Sequence, residues 1–565
     1  YIIMSTTLVT QLQNENDFGK VLTNAYFLNQ KKLVKHQIDG YDNFIENKLY
    51  EILEEYNSNP KNIIYAEYDK ELGKNRYEYH IKFGKIYISK PVVQDDQSIL
   101  RQMFPNDARL QKLTYSLTIK VDIYHKLVKH GQGGTMEQTE FTPLLGHSIG
   151  KIPLMLQSKY CVLSEVSNKT LSDMGEDIYD YGGYFIVNGQ EKVVVAQERQ
   201  AENMVYCFKQ GKGQSKFSHK CEIRSVSETN PFNVKNAEVK LTAKEGNIGR
   251  TLKVKIQGMR QELPLFVIFR ALGIISDKQI VESILYSLSD TEVVAYLELI
   301  RPSIDEASQI RDQQTALEYC SKYVILQGGV KPSTFQTSSY KLWQTYTTII
   351  DEFLPHLGKS PVKKAYFLGY MTYRLLHSYL NDDYADRDSF LNKRVDTTGE
   401  LMAFLFRKHF QKMMREVEQK CKAELMKVTK HGDLASSLGR KIKKSDIESG
   451  MKYGLSTGNW GLQSKDNKKG VARMLNRLSY LSFLSDLRKV QAPMNKTLKS
   501  QQPRLLHSTQ WGRICPAETP EGAPIGIAKH LSMMTVITVA SSSEPVRNFL
   551  QKFLHSVLVL LEHMV

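Results

Sequence analysis

Residues Ile514–Gly522 read Ile-Cys-Pro-Ala-Glu-Thr-Pro-Glu-Gly and carry the most information about the fold of this chain. This stretch lies within a longer segment, Pro503–Met534, that contains four prolines and three glycines. Proline fixes φ and removes a backbone donor, whereas glycine permits close backbone approach. The segment therefore predicts a rigid, irregular course. Trp511, Ile525 and Ile527 supply apolar anchors, so a flexible linker is not expected.

Two carboxylates of this stretch, Glu518 and Glu521, allow a different interpretation, a general acid/base pair of a free-standing hydrolase. No nucleophile and no metal-ligand set accompanies them in the sequence. We therefore predict no catalytic residue in the chain and keep the hydrolase as an alternative. That alternative requires Glu518→Gln to abolish a hydrolytic activity.

The charge around this stretch is strongly positive. Residues 456–540 contain twelve lysines and arginines and four acidic residues. The difference, 12 − 4 = +8, is half of the chain's net charge of +16. Such a concentration favours a polyanion site over an evenly solvated surface. Lysines and arginines contact phosphates without reading bases. The predicted nucleic-acid-binding residues are Lys465, Lys468, Lys469, Arg473, Arg477, Arg488, Lys496, Lys499 and Arg504.

Two parts of this basic region have an ordinary alternative. Gly461–Lys469 reads as a glycine- and lysine-containing loop, which could equally be plain solvated surface. Arg473–Lys489 interleaves basic with apolar residues and predicts a helix that packs one face and turns its arginines outward. The spacing alone also fits a simple amphipathic helix.

The composition of the whole chain bounds its class. At 565 residues and 41% apolar content, three to four domains are expected. The six cysteines are scattered without a Cys-x-x-Cys pair, so we expect no zinc site and a reducing compartment. No leader peptide and no long apolar run is apparent, which predicts an intracellular protein without a membrane partner. The apolar run near the C-terminus suggests that the chain is cut there.

Local patterns predict several elements. Apolar residues three and four apart indicate helices over 43–56, 280–299, 340–354 and 396–428, the first capped by Asp42 or Asn43. Asn188-Gly189 between two apolar runs predicts a β-hairpin over 184–197. Residues 212–380 read as mostly helical, with turns at Gly328-Gly329 and Lys331-Pro332, and Arg440–Lys444 reads as a solvated basic cluster.

Ile514–Gly522 resembles the Cys-Pro-x-Glu-Thr-Pro-Glu-Gly signature of second-largest subunits of multisubunit RNA polymerases. Ile149–Ser158, Gly182–Arg199 and Thr457–Gly461 resemble further segments of that family, and the resemblance spans roughly residues 36 to 540. The resemblance leaves open whether the polymerase is of the eukaryotic, archaeal or large-DNA-virus type. The signature residues here are Cys515, Pro516, Glu518, Thr519, Pro520, Glu521 and Gly522.

The resemblance implies an α+β multidomain architecture. Its parts would be a protrusion (1–211, resumed at 381–455), an inserted lobe (212–380) and a fork (456–540). Residues 541–565 would begin the following external region, in truncated form.

The resemblance also implies a function. The chain would be the N-terminal portion of the subunit, contacting downstream DNA and the RNA–DNA hybrid during DNA-templated RNA synthesis. Its implied partners are the largest subunit, other polymerase subunits and template DNA. No cofactor is expected in this chain, since Mg²⁺ would be held mainly by the largest subunit, and the fragment alone would be inactive. The expected location is the nucleus, or a viral factory or virion. A non-catalytic nucleic-acid-binding protein remains an alternative.

Overall fold

The computed structural model divides the chain into two compact units. Unit 1 comprises Tyr1–Arg199 and Val395–Val565, and unit 2 is Gln200–Arg394, inserted between them. The predicted insertion of 212–380 lies inside unit 2, whose bounds extend further on both sides. The structure describes residues 15–27, 30–59, 62–69, 74–94, 100–130, 136–211, 216–228, 230–243, 248–286, 293–325, 337–425, 432–461, 468–494, 500–539 and 543–562.

Among the described residues, unit 1 combines helices with four sheets, the smallest of which pairs β3 with β4, as expected for a mixed α and β chain. Its helices are α1 Glu15–Phe27, α2 Lys35–Asn43, α3 Leu49–Ser58, α4 Pro105–Leu110, α5 Asn168–Asp173, α12 Thr398–Leu425, α13 Gly432–Lys441, α14 Lys444–Thr457, α15 Tyr480–Leu487 and α16 Glu544–Glu562. Its strands are β1 Ile64–Asp69, β2 Lys74–Ser89, β3 Val92–Gln94, β4 Leu100–Gln102, β5 Ser116–His130, β6 Met136–Glu140, β7 Leu144–Pro153, β8 Phe185–Val187, β9 Gln190–Val194, β10 Ala196–Gln200, β17 Ala472–Met474, β18 Lys489–Gln491 and β19 Ala528–His530.

The largest sheet of unit 1 is antiparallel, with β1, β2, β5 and β6 in order and β7 also paired to β5. Successive residues of a strand point to opposite faces. In β5, Leu117, Ile119 and Val121 are therefore buried, whereas Ser116, Thr118 and Lys120 lie on the other face. A second sheet runs β17–β9–β8, and in a third β10 pairs in parallel with β18, which pairs with β19.

The predicted helix over 43–56 is confirmed, but its start is wrong. A helical run continues from α2 through a π-turn, Phe44–Lys48, into α3, with Ile45, Leu49 and Ile52 buried. Asp42 and Asn43 thus lie inside the run and do not cap it. The Asp42 carboxylate instead accepts from the backbone N–H of Lys159, 3.1 Å away.

The predicted hairpin is confirmed as β8 and β9. Asn188 (φ 53°) and Gly189 (φ 75°) both occupy the left-handed region. Positive φ at both central residues is what a two-residue type I′ hairpin turn requires.

The long amphipathic helix is confirmed as α12, which begins at Thr398, while residues 426–428 lie outside the described range. Its stripe of Phe406, Phe410, Met413 and Val417 is buried, and Phe406 makes an edge contact with Phe44. The solvated basic cluster at 440–444 is only partly correct. Lys441 is buried and pairs with Glu424, because α13 packs against α12.

The prediction that residues 212–380 are mostly helical is confirmed from Leu265 onward, but the part before Leu265 is a sheet. Unit 2 opens with a five-stranded antiparallel sheet whose strands follow chain order: β11 Val205–Lys209, β12 Phe217–Ser227, β13 Asn230–Thr242, β14 Leu252–Ile256 and β15 Leu263–Pro264. β16, Lys393–Asp396, leads the chain back to unit 1. The helices are α6 Leu265–Ala271, α7 Asp277–Leu285, α8 Val293–Glu306, α9 Gln313–Ser321, α10 Thr337–Thr347 and α11 Pro361–Asn381.

Of the two helices predicted in unit 2, one is wrong and the other is confirmed. The single helix over 280–299 is wrong, because α7 ends at Leu285 and Tyr286 turns with φ 57°. The helix over 340–354 is confirmed as α10 with a π-turn, Thr348–Glu352, at its end. The turns expected at 328–332 lie outside the described residues. None of the described helices of the chain has both the length and the apolar content needed to cross a bilayer.

Candidate nucleic-acid interface

The signature segment folds back on itself and against β19. The Cys515 N–H donates to the His530 carbonyl oxygen at 2.8 Å, and Ile514 bridges Leu531. The Thr519 hydroxyl accepts from the Gly526 N–H at 3.0 Å and donates to the Ala528 carbonyl oxygen at 3.2 Å. The segment is thus held by individual hydrogen bonds along a non-repeating course, which is the course that its prolines predict.

Glu518 takes part in a small polar cluster that is not a catalytic triad. Its carboxylate accepts from the Ser485 hydroxyl, and lies 3.3 Å from Nδ1 of His530. The Ser485 hydroxyl faces the same ring nitrogen at 3.1 Å. A serine triad needs the hydroxyl and the carboxylate on different ring nitrogens. The cluster therefore ties α15 to β19, while Glu521 lies in solvent, and the hydrolase alternative gains no support.

The basic loop that begins at Gly461 is closed by two residues that flank it. Trp460 is fully buried and donates its indole N–H to the Leu401 carbonyl oxygen at 2.7 Å. Its backbone exchanges two hydrogen bonds with Lys468, at 2.8 and 3.0 Å. Residues 462–467, and with them Lys465, lie outside the described residues. The loop is thus anchored at a buried tryptophan, and Lys468 and Lys469 are exposed where the described chain resumes.

The predicted helix over Arg473–Lys489 is wrong in its first half. Arg473 lies on strand β17, directly opposite Val193 of β9, and helix α15 starts only at Tyr480. The Arg473 side chain pairs with the buried carboxylate of Asp486. A short strand forms here instead of the expected helix, because the edge of β9 provides backbone groups with which it can pair.

Arg477 is the centre of an ion-pair network. Its guanidinium donates to Glu191 at 2.7 Å and to Asp180 at 2.9 Å, and also to the Tyr184 hydroxyl. Arg109 joins from the other side, donating to Glu191 and to the buried carboxylate of Glu176. Burial alone would lower the pKa of Arg477. The hydrogen bonds to Glu191 and the charges of the neighbouring acids outweigh this effect and raise the pKa of Arg477.

Arg488 and Arg504 donate to backbone carbonyls. Arg488 is buried and donates to the carbonyl oxygens of Leu33 at 2.6 Å and Ser532 at 2.7 Å. Arg504 donates to the carbonyl oxygens of Ala523 and Ile525, at 2.7 and 2.9 Å. Each guanidinium therefore braces the irregular segment Pro503–Met534.

Lys529 is a further cation of the basic region that is turned inward. Its ammonium lies 2.9 Å from the carboxylate of Glu198, and both side chains are almost fully buried. Of the basic residues described in 456–540, Arg488 and Lys529 are therefore buried and do not contribute to the surface charge. Among the described candidates, Lys468, Lys469 and Arg477 are exposed, and the Arg477 guanidinium is already bound by acids, while Lys465, Lys496 and Lys499 lie outside the described residues.

The acids that neutralise this region were missed by sequence reasoning. Asp180, Glu191 and Glu198 stand some 290 to 330 residues before their partners Arg477 and Lys529. A usable signal was present in Gly182–Arg199, since this signature-like segment carries charged residues between apolar runs. Charge counted within a window of sequence cannot detect partners supplied by another segment.

Among the described residues, no three His, Cys, Asp or Glu side chains converge in a way that could hold a metal ion. The side chains of this part of the chain therefore do not fit a Mg²⁺ site, and no chemical step is assigned to a metal here.

Comparison with known proteins gives the class. The family model for the RNA polymerase beta subunit matches residues 32–448, and the model for RNA polymerase Rpb2, domain 3, matches residues 473–537. The chain belongs to the second-largest, beta-like subunits of multisubunit RNA polymerases.

Individual relatives refine this placement. The chain is 38% identical over 548 residues to DNA-directed RNA polymerase II subunit 2 of Arabidopsis thaliana, covering 94% of this chain and 44% of that protein. With subunit RPB2 of Schizosaccharomyces pombe the identity is 37%, covering 93% and 43%. With the archaeal subunit Rpo2N of Methanococcus vannielii it is 31%, covering 93% and 97%. The chain thus spans less than half of these eukaryotic relatives and nearly all of the archaeal one.

Proposed function

We propose that this chain acts as the N-terminal portion of the second-largest subunit of a DNA-directed RNA polymerase. In that role it contacts downstream DNA and the RNA–DNA hybrid during DNA-templated RNA synthesis. The observation that carries the proposal is the unbroken likeness to polymerase subunits over 93–94% of the chain. In domain terms, we assign the lobe to unit 2, the protrusion to the earlier part of unit 1 and its return, and the fork to residues 456–540.

The proposed phosphate contacts are divided by what the side chains already bind. Lys468 and Lys469 are exposed, and Lys465 precedes them in the sequence of the same loop. The Lys468 ammonium lies 3.9 Å from the Asp396 carboxylate, which is longer than a hydrogen bond. We assign direct phosphate contact to these three lysines, together with Lys496 and Lys499. Arg473, Arg477, Arg488 and Arg504 already hold intramolecular acceptors, so we assign them the role of positioning that surface. If one of these guanidinium groups turned away to bind phosphate, the buried polar groups that it contacts would lose a hydrogen-bond partner.

The chemistry would be completed by partners. The assembled enzyme would join ribonucleotides by phosphoryl transfer assisted by Mg²⁺, with the metal held mainly by the largest subunit. This chain alone would be inactive. The eukaryotic relatives support a nuclear location.

Affinity purification of the chain from its native source tests the assembly. The expected result is co-recovery of a largest polymerase subunit and of template-dependent RNA synthesis in the eluate. Recovery of nucleic acid without any other polymerase subunit would instead favour the non-catalytic nucleic-acid-binding alternative.

The loop lysines are tested separately by salt dependence. Replacing Lys465, Lys468 and Lys469 together with alanine should weaken retention of an RNA–DNA scaffold. It should also reduce the slope of log K against log salt by about 2 to 3, since each lost phosphate contact removes about 0.9. The matched control replaces three exposed lysines of unit 2, Lys278, Lys359 and Lys363. Equal slopes for the loop variant and the wild type would mean that the loop is ordinary solvated surface.

A further inference from the structure

A cavity of about 300 Å³ lies in unit 1, away from the signature segment. Its walls come from the outer face of β5 and β7, from the hairpin β3–β4, from α14 and from the turn between β8 and β9. It combines an apolar side, with Val93, Met103 and Leu113, and a side lined by lysines and hydroxyls. The proposed function makes no use of this cavity.

The floor of the cavity presents hydroxyl groups beside a lysine. Thr118 on β5 pairs directly with Lys151 on β7, and Ser116 lies two residues earlier on the same face. Within the described part of the chain, neither the Ser116 nor the Thr118 hydroxyl makes a hydrogen bond to another residue. Two hydroxyl donors and one ammonium group therefore face the same space.

A second lysine is fixed by the hairpin turn. Lys112 adopts a left-handed backbone, with φ 55°, which is uncommon for a residue with a side chain. The Gly189 N–H donates to the Leu113 carbonyl oxygen at 2.9 Å, and a Cβ at Gly189 would stand 2.8 Å from the Lys112 Cα. The Asn188-Gly189 turn thus holds the strained backbone in place. Such strain persists where the surrounding structure determines it, and it is common at ligand sites.

The charge of the cavity is unbalanced. Lys452 comes from α14, one turn after Glu448, and both side chains line the cavity with Lys112 and Lys151. Within the described ranges, none of these four side chains has an ion-pair partner within 4.0 Å. Three cations and one anion leave a formal surplus of two positive charges.

We propose that this cavity binds the phosphate group of a small phosphomonoester or inorganic phosphate. Such a dianion carries a charge of about −1.5 to −2 at neutral pH and three strong acceptor oxygens. It would neutralise the surplus and accept from the three ammonium groups and the two hydroxyls. Charge-assisted bonds of this kind are the strong ones in proteins. The apolar side at Val93 and Met103 leaves room for an organic group beyond the phosphate.

Binding of inorganic phosphate to the full chain is measured by ³¹P NMR titration, with chloride at equal ionic strength as the blank. The double variant Lys151→Gln/Lys452→Gln should bind phosphate at least about tenfold more weakly, since it removes two charge-assisted contacts and the loss of one already accounts for about tenfold. Glu448→Gln should bind several-fold more tightly, since it removes the only acid among the lining side chains named above. A misfolded variant would not gain affinity. The control Lys278→Gln in unit 2 should bind like the wild type.

A competition experiment distinguishes a phosphomonoester from free phosphate as the natural ligand. If adenosine monophosphate binds more tightly than inorganic phosphate and competes with it, the natural ligand is a phosphomonoester with an organic group. Equal affinities assign the site to free phosphate. The proposal is overturned if the lysine pair has no effect, if Glu448→Gln weakens binding, or if a single-stranded oligonucleotide binds and phosphate does not displace it.

Discussion

Breaking the buried pair of Lys529 and Glu198 is expected to be among the most damaging single changes in unit 1. The ammonium and carboxylate are 2.9 Å apart, and 6% and 3% of the two side chains are exposed. Removing one partner takes a counter-charge away from a buried charge, which costs about 3–5 kcal/mol. We therefore expect Lys529→Met to lower the free energy of unfolding of unit 1 by that amount.

The double variant decides whether the pair causes this loss. Lys529→Met combined with Glu198→Leu removes both charges, and apolar replacement of a whole buried pair is often neutral or stabilising. The double variant should therefore recover at least about 2 kcal/mol of the single variant's loss, a coupling that contacting residues can reach.

The assay is denaturant unfolding followed by tryptophan fluorescence. The chain has three tryptophans, and Trp460 is the one buried in unit 1. In a Trp343→Phe/Trp511→Phe background the signal reports Trp460 alone. A loss below about 1 kcal/mol for Lys529→Met, the range of exposed pairs, would refute the reasoning. So would a double variant whose losses simply add.

Three further perturbations follow from individual residues. Burial lowers the pKa of Lys364 to about 8, so the unfolded chain binds more protons between that pH and about 10.4. Stability should rise with pH across this window, and the rise should be smaller in Lys364→Met when melting temperatures are compared at pH 7.5 and 9.5. Burial, and then the charge of Arg488, lower the pKa of His36 to about 4. Stability should therefore fall as pH drops from about 6.5 towards 4, and His36→Asn should flatten that fall in acid unfolding curves. Gly526 and Gly522 both have positive φ, but only at Gly526 would a Cβ clash, with the Arg504 carbonyl oxygen. Gly522→Ala should cost about 1 kcal/mol, and Gly526→Ala about 1–3 kcal/mol more in the same unfolding assay. Equal costs would contradict the close approach.

Features encoded within a few residues could be predicted from the sequence. The hairpin at Asn188-Gly189 and the helix α12 follow from turn chemistry and apolar spacing over short windows. The irregular course around Pro516 and Pro520 follows from fixed φ angles and missing donors. Each of these signals is complete within its own segment, so no other part of the chain is needed to detect it.

Features that depend on a distant segment could not be predicted. Arg473 enters a strand because β9, some 280 residues earlier, provides an edge for it. Lys529 was counted as surface charge, but its partner Glu198 is 331 residues away. The sheet of unit 2 was read as helical although β12 alternates buried and less buried residues, which is the period-two signal of a strand. The first two errors reflect tertiary pairing, whereas the last was a misread period.

The insertion of unit 2 at Gln200–Arg394 has a consequence for biosynthesis. A ribosome makes the chain from its N-terminus, and domains generally fold as units while they emerge. The inserted unit is complete before Thr398 has been made, yet α12 supplies the stripe that covers Phe44, and Thr398 hydrogen-bonds Gln37. The first segment must therefore wait, with apolar surface uncovered, until some two hundred further residues have been translated. Whether this segment folds without aggregating therefore depends on the speed of translation and on chaperones.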